Sequence, residues 1–88
     1  GDEAAKLWKE ALRAAEAATK STPVSAAAYL VLGETHLARA QAAVEAGDSG
    51  LAAEEVDEGR AAIADCLKRN PALPRARAVL SALRNLPL

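Results

Sequence analysis

The chain has 88 residues, 26% of them charged, and a formal net charge of −1. That length is one small domain, and the near-neutral balance lacks the basic footprint of general nucleic-acid binding. The 51% hydrophobic content is mostly alanine, 24 residues, with one Trp, one Tyr, one Cys and no Phe or Met; it excludes a disordered acidic tail, a disulfide scaffold and a collagen-like chain, and no apolar run is long enough to span a membrane.

Alanine buries little area but lets backbones approach closely, so the expectation is an all-α fold of thin, tightly packed helices. Three breaks punctuate the chain: Ser21-Thr22-Pro23, Gly47-Asp48-Ser49-Gly50 and Asn70-Pro71-Ala72-Leu73-Pro74. The first helix is expected from Asp2 to Lys20, opened by Asp2 and Glu3 and striped by Ala4, Leu7, Trp8, Ala11, Ala15 and Ala18. The second is expected from Ser25 to Ala46, capped by Ser25 and stopped by Gly47. Its stripe is Ala26, Tyr29, Leu30, Gly33, Leu37, Ala40 and Val44. With only Glu34, Arg39 and Glu45 charged, it reads as the central element, buried on more than one side. The third runs from Gly50 to Arg69, with Asp48 or Ser49 as cap and Val56, Gly59, Ile63, Cys66 and Leu67 as stripe. The fourth runs from Pro74 to Asn85, with Pro74 in its first turn and Ala76, Val79, Leu80 and Leu83 inward. Breaks this short make consecutive helices antiparallel. The chain carries no initiator Met, so residues 1–88 are expected to be a single domain cut from a longer protein.

The prolines expose an internal repeat. Ala11, Ala15 and Ala18 precede Pro23 at the offsets by which Gly59, Ile63 and Cys66 precede Pro71. Tyr29-x2-Leu32-Gly33-x2-His36 follows the W-x2-L-G-x2-Y run of the tetratricopeptide repeat, with Tyr for Trp and His for the last Tyr. Ala11-x3-Ala15 and Gly59-x3-Ile63 stand where the family has A-x3-F, and Pro23 and Pro71 stand at its closing proline. On these residues the chain resembles the tetratricopeptide repeat family, in degenerate form. The prolines are 48 residues apart, against a family period of about 34. The surplus adds about two turns to each helix of the central hairpin and so preserves facing. The rival arrangement is an up-and-down four-helix bundle.

The resemblance implies a protein–protein interaction module, a scaffold or adaptor without catalysis of its own. The family's groove is lined by the first helix of each hairpin. Carried onto this chain, it gives Ala27, Leu30, Glu34, Leu37 and Ala38 on the second helix and Arg75, Ala78, Ala82 and Asn85 on the fourth. The paired Lys and Asn of the family's carboxylate clamp are missing, so a protein or peptide presenting a helix or an extended apolar segment is the expected partner. Two other readings stand beside it: a self-assembling helical unit, with Trp8 and Leu83 as oligomer contacts, and a regulatory segment of a larger bacterial enzyme such as a Ser/Thr kinase.

No catalytic, cofactor or metal set is expected. Gly47-Asp48-Ser49-Gly50 resembles the sequence around the nucleophile of trypsin-like proteases, but that site needs two β-barrels and a distant His and Asp. His36 and Cys66, the single residues of their types, read as a half-buried histidine and a packed thiol, not as a nucleophile pair or a zinc site. The acids Glu45, Asp48, Glu54, Glu55, Asp57 and Glu58 form a segment that could bind cations or a basic partner, but they lack calcium-loop spacing and are better read as acid in the N-terminal half of the third helix, where the dipole favours it. Arg75 and Arg77 sit where a helix dipole disfavours cations, and are expected to meet an acidic partner or an acidic neighbouring helix. One cysteine leaves the compartment open, with the cytoplasm favoured.

Overall fold

Two glycines, Gly33 and Gly59, let neighbouring helices and side chains approach closely. In the computed structural model, which describes residues 2–21 and 25–88, four helices follow in order: α1 (Asp2–Ser21), α2 (Ala26–Glu45), α3 (Ser49–Arg69) and α4 (Pro74–Arg84). The described residues form no strand, and the fold is an all-α four-helix arrangement. Of the first break, Ser21 is the last residue of α1, and Thr22 and Pro23 lie outside the described residues.

The helix ends follow local chemistry. The Ser25 side chain accepts from the Ala28 amide at 3.4 Å, satisfying one of the donors a helix start leaves open. Gly47 takes φ +75°, the left-handed conformation that costs a residue without Cβ least. Its amide donates to Val44 O at 3.1 Å and that of Asp48 to Ala43 O at 2.9 Å, the paired bonds of a Schellman stop. Asp48 is the α3 cap: its Oδ1 accepts from the Leu51 amide at 3.1 Å.

α2 and α3 form the principal hairpin and α4 crosses both, while α1 packs on α2 alone among the described helices and does not touch α4. A Cβ at Gly33 of α2 would overlap the end of the Ile63 side chain on α3, and one at Gly59 of α3 would stand 3.1–3.2 Å from Leu83 of α4 and Cβ of His36 on α2. The core is Ala40, Val56, Ile63, Cys66, Ala76, Val79 and Leu83. The chain traces a slab of 34 × 26 × 16 Å, thin for helices about 10 Å across, as small side chains require.

Several expected stripes are corrected. On α1 only Ala15 is buried; Leu7 is 66% exposed, Ala4 and Ala11 are exposed, and Trp8 and Ala18 are half-buried. The reason is that α1 has a single neighbour. On α2 the buried positions are Ala28, Gly33, His36, Ala40 and Ala43, while Tyr29, Leu30 and Leu37 flank the core half-buried. Small residues take the line of closest contact and large ones border it. Leu67 and Leu80 likewise sit half-buried. Leu83, expected as an oligomer contact, is a core residue 1% exposed and offers no surface.

Candidate functional site

Two features stand out, joined by Arg39. The first is a polar cluster across the α2–α3 contact. His36 and Arg39 lie one turn apart on α2, and Glu55 and Glu58 one turn apart on α3, so antiparallel packing sets the two pairs side by side. His36 is 4% exposed and Glu55 5%. His36 Nδ1 and Glu55 Oε2 are 2.7 Å apart, and Arg39 Nη2 stands 3.3 Å from Glu55 Oε1. Glu55 is therefore hydrogen-bonded through one oxygen and ion-paired through the other. A carboxylate accepts only, so Nδ1 carries the proton of that bond. On the other side of the ring, His36 Nε2 lies 3.5 Å from Oε2 of Glu58, whose side chain is 63% exposed. His36, Glu55 and Glu58 offer nitrogen and oxygen atoms within 4.8 Å of one another.

A buried ion pair of this kind adds little net stability, because desolvation of both charges offsets their attraction, but removing one partner is costly. Its contribution is to register: Glu55 finds both His36 and Arg39 in one alignment of α3 on α2. From the sequence alone Glu55 reads as one of the acids in the N-terminal half of the third helix and His36 as half-buried. The missed signal was spacing. Glu55 falls on the line Ala52, Glu55/Val56, Gly59, Ala62/Ile63, Cys66, which is the buried face of α3.

The second feature is a groove of about 530 Å³ where the start of α1 meets the end of α2 and the start of α3. Trp8, Leu51, Ala42, Ala43 and Ala46 give it apolar lining, and Lys6, Lys9 and Arg39 give it positive charge. Asp48 is the acid among its described lining residues. Lys6 and Lys9 are exposed and form no ion pair among the described residues. Leu7, on the same stretch of α1, stays largely in solvent.

The groove expected on α2 and α4 is partly taken up by the fold itself. Leu30 and Leu37 pack against the core. Glu34 of α2 accepts from Arg75 of α4, 2.8 Å from Nε and 2.7 Å from Nη2. Ala38 and Ala82 are half-buried, while Ala27, Ala78 and Asn85 are exposed. Arg77 donates to the Pro71 carbonyl at 2.9 Å. The two arginines placed against the α4 dipole thus meet a neighbouring helix and the preceding turn. Cys66 is fully buried; burial pushes its thiol pKa up, with Arg69 opposing. Ser49 is exposed in the first turn of α3, where the Gly-Asp-Ser-Gly stretch serves as a helix stop and start. No helix among the described residues is long and apolar enough to cross a membrane. Comparison with known proteins finds no matching family model, no matching curated protein and no matching solved structure.

Proposed function

We propose that the chain is a tetratricopeptide-like scaffold that binds a partner protein and performs no catalysis of its own. The observation that carries this reading is the Trp8 groove: an apolar cleft bordered by α1, α2 and α3, with two lysines that form no ion pair among the described residues. Its occupant is an amphipathic helix with an apolar ridge and an acidic flank. The ridge covers Trp8 and Leu51, and the flank meets Lys6 and Lys9, the helix-in-groove mode of recognition. Further support comes from the arrangement of helices. α1 and α4 do not touch, which suits an open array and not a closed bundle. The α2–α4 contact through Glu34 and Arg75 joins the two helices that would be the first of successive hairpins. The α2–α4 face remains a second, shallower partner surface of the same module.

The test is a titration followed by fluorescence of Trp8, the one tryptophan. The probe is a synthetic helix with a leucine ridge and glutamate flanks, compared with its lysine-flanked counterpart. The acidic helix is expected to saturate the signal and the basic one to fail. The preference should reverse in Lys6→Glu/Lys9→Glu. Equal response to both probes refutes the reading. So does sedimentation showing that the groove is closed by a second copy of the chain, which would make self-assembly its role.

A further inference from the structure

We propose that His36 Nε2 and the Glu58 carboxylate form a binding site for a divalent first-row metal of the zinc type, with Glu55 as the residue that orients the imidazole. The argument starts from the proton on Nδ1. Glu55 Oε2, 2.7 Å away, accepts that hydrogen bond, and Arg39 occupies the other Glu55 oxygen at 3.3 Å. In the neutral ring the second nitrogen is then a bare lone pair, and it faces Glu58 Oε2 at 3.5 Å. Two lone-pair atoms turned toward each other lack a donor between them. A tetrahedral zinc ion, with bonds of about 2.0–2.1 Å to nitrogen and oxygen, holds neighbouring ligand atoms about 3.3 Å apart. The spacing of Nε2 and Oε2 therefore matches two vertices of such an ion.

The surroundings suit the assignment. A carboxylate on the far nitrogen of a ligating histidine fixes the tautomer and raises the basicity of the ligating one, and Glu55 stands in that place. Both of its oxygens are engaged, so it acts behind the histidine and not as a third ligand. Arg39 offsets the Glu55 charge, leaving Glu58 to meet the ion. Glu58 is exposed, so the outer coordination positions open to water. Imidazole with carboxylate selects zinc, copper or nickel over calcium and magnesium, which take oxygen ligands.

The experiment titrates zinc chloride into the 88-residue chain, free of any affinity tag, by calorimetry and by ¹⁵N spectra of the imidazole. Saturable binding of one ion per chain is expected. It should move the His36 Nε2 resonance while Nδ1 keeps its proton. Glu58→Gln, at an exposed position, should weaken binding about tenfold or more while the helical circular dichroism is unchanged. Absence of saturable binding overturns the proposal. Undiminished affinity in Glu58→Gln, or coordination through Nδ1, overturns it equally.

Discussion

Replacing Gly33 by alanine tests the close approach of α2 and α3 at this residue. In an exposed helix interior this change is favourable by about 1 kcal/mol, because glycine loses more backbone freedom on folding. Here the new methyl would overlap the Ile63 terminal methyl and stand 2.7 Å from its Cγ1, far inside ordinary carbon–carbon contact. Ile63 has no exposed surface, and its branched side chain is stiff at χ1, so α2 and α3 must separate. Overpacking of this kind costs about 1–3 kcal/mol, and the severity of the overlap places the cost in the upper part of that span. The net loss is about 1–2 kcal/mol, and each kcal/mol lowers the melting temperature of a domain this size by about 4–8 °C. Thermal melts by circular dichroism read it directly. Ile63→Val, which removes the clashing methyl, should be less harmful in the Gly33→Ala background than alone, with a coupling of at least about 0.5 kcal/mol. An unchanged or raised melting temperature in Gly33→Ala, or strictly additive effects in the double variant, would refute the contact.

Glu55→Ala should cost about 3 kcal/mol, since His36 and Arg39 lose their shared carboxylate at a buried site; the urea midpoint should fall with little change in slope. Arg75→Ala should cost less than about 1 kcal/mol, because the guanidinium is 71% exposed and its ion pair with Glu34 is screened by salt; denaturation at low and high salt should converge for the two proteins. The Cys66 thiol should react with Ellman's reagent only as fast as the fold opens, and immediately in urea. Its raised pKa also has a sign: above the ordinary value of 9.0 the unfolded thiol loses its proton while the folded one keeps it. Stability is therefore fully present below that pH and falls as pH rises above it, and Cys66→Ala should flatten the slope.

The helices and their ends were legible because each is written in adjacent residues. Ser25, Gly47, Asp48 and Pro74 name their positions through φ preference or a side-chain acceptor. The centrality of α2 was equally plain from its scarcity of charge. What escaped was any property decided by the partner across a contact. Glu55 carries the same charge as Glu54 and Asp57, and only the opposite helix, with His36 and Arg39, tells it apart. Leu83 reads from the sequence both as part of the inward stripe of α4 and as an oligomer contact, and the missing side chain of Gly59, which makes a socket for it, leaves only the first. Leu7 and Ala11 have faultless helical spacing, yet periodicity cannot say whether a second neighbour exists to cover them. The Trp8 groove was foreshadowed by the single large anchor on α1. Its lysines gained meaning only when the fold left them without an ion pair among the described residues.

The attachment of α1 to a single helix has a consequence for motion. Its docking free energy rests on the α2 surface alone, so α1 is the element most readily released while α2, α3 and α4 stay assembled. Amide hydrogens of α1 should exchange through this partial opening, and those of α2 and α3 through global unfolding. A ligand spanning the Trp8 groove touches α1 on one side and α2 and α3 on the other. Each tenfold excess over its dissociation constant would raise the opening free energy by about 1.4 kcal/mol. Occupancy would thus be recorded as slowed exchange in α1, far from α4, making the first helix a gauge of whether the groove is filled.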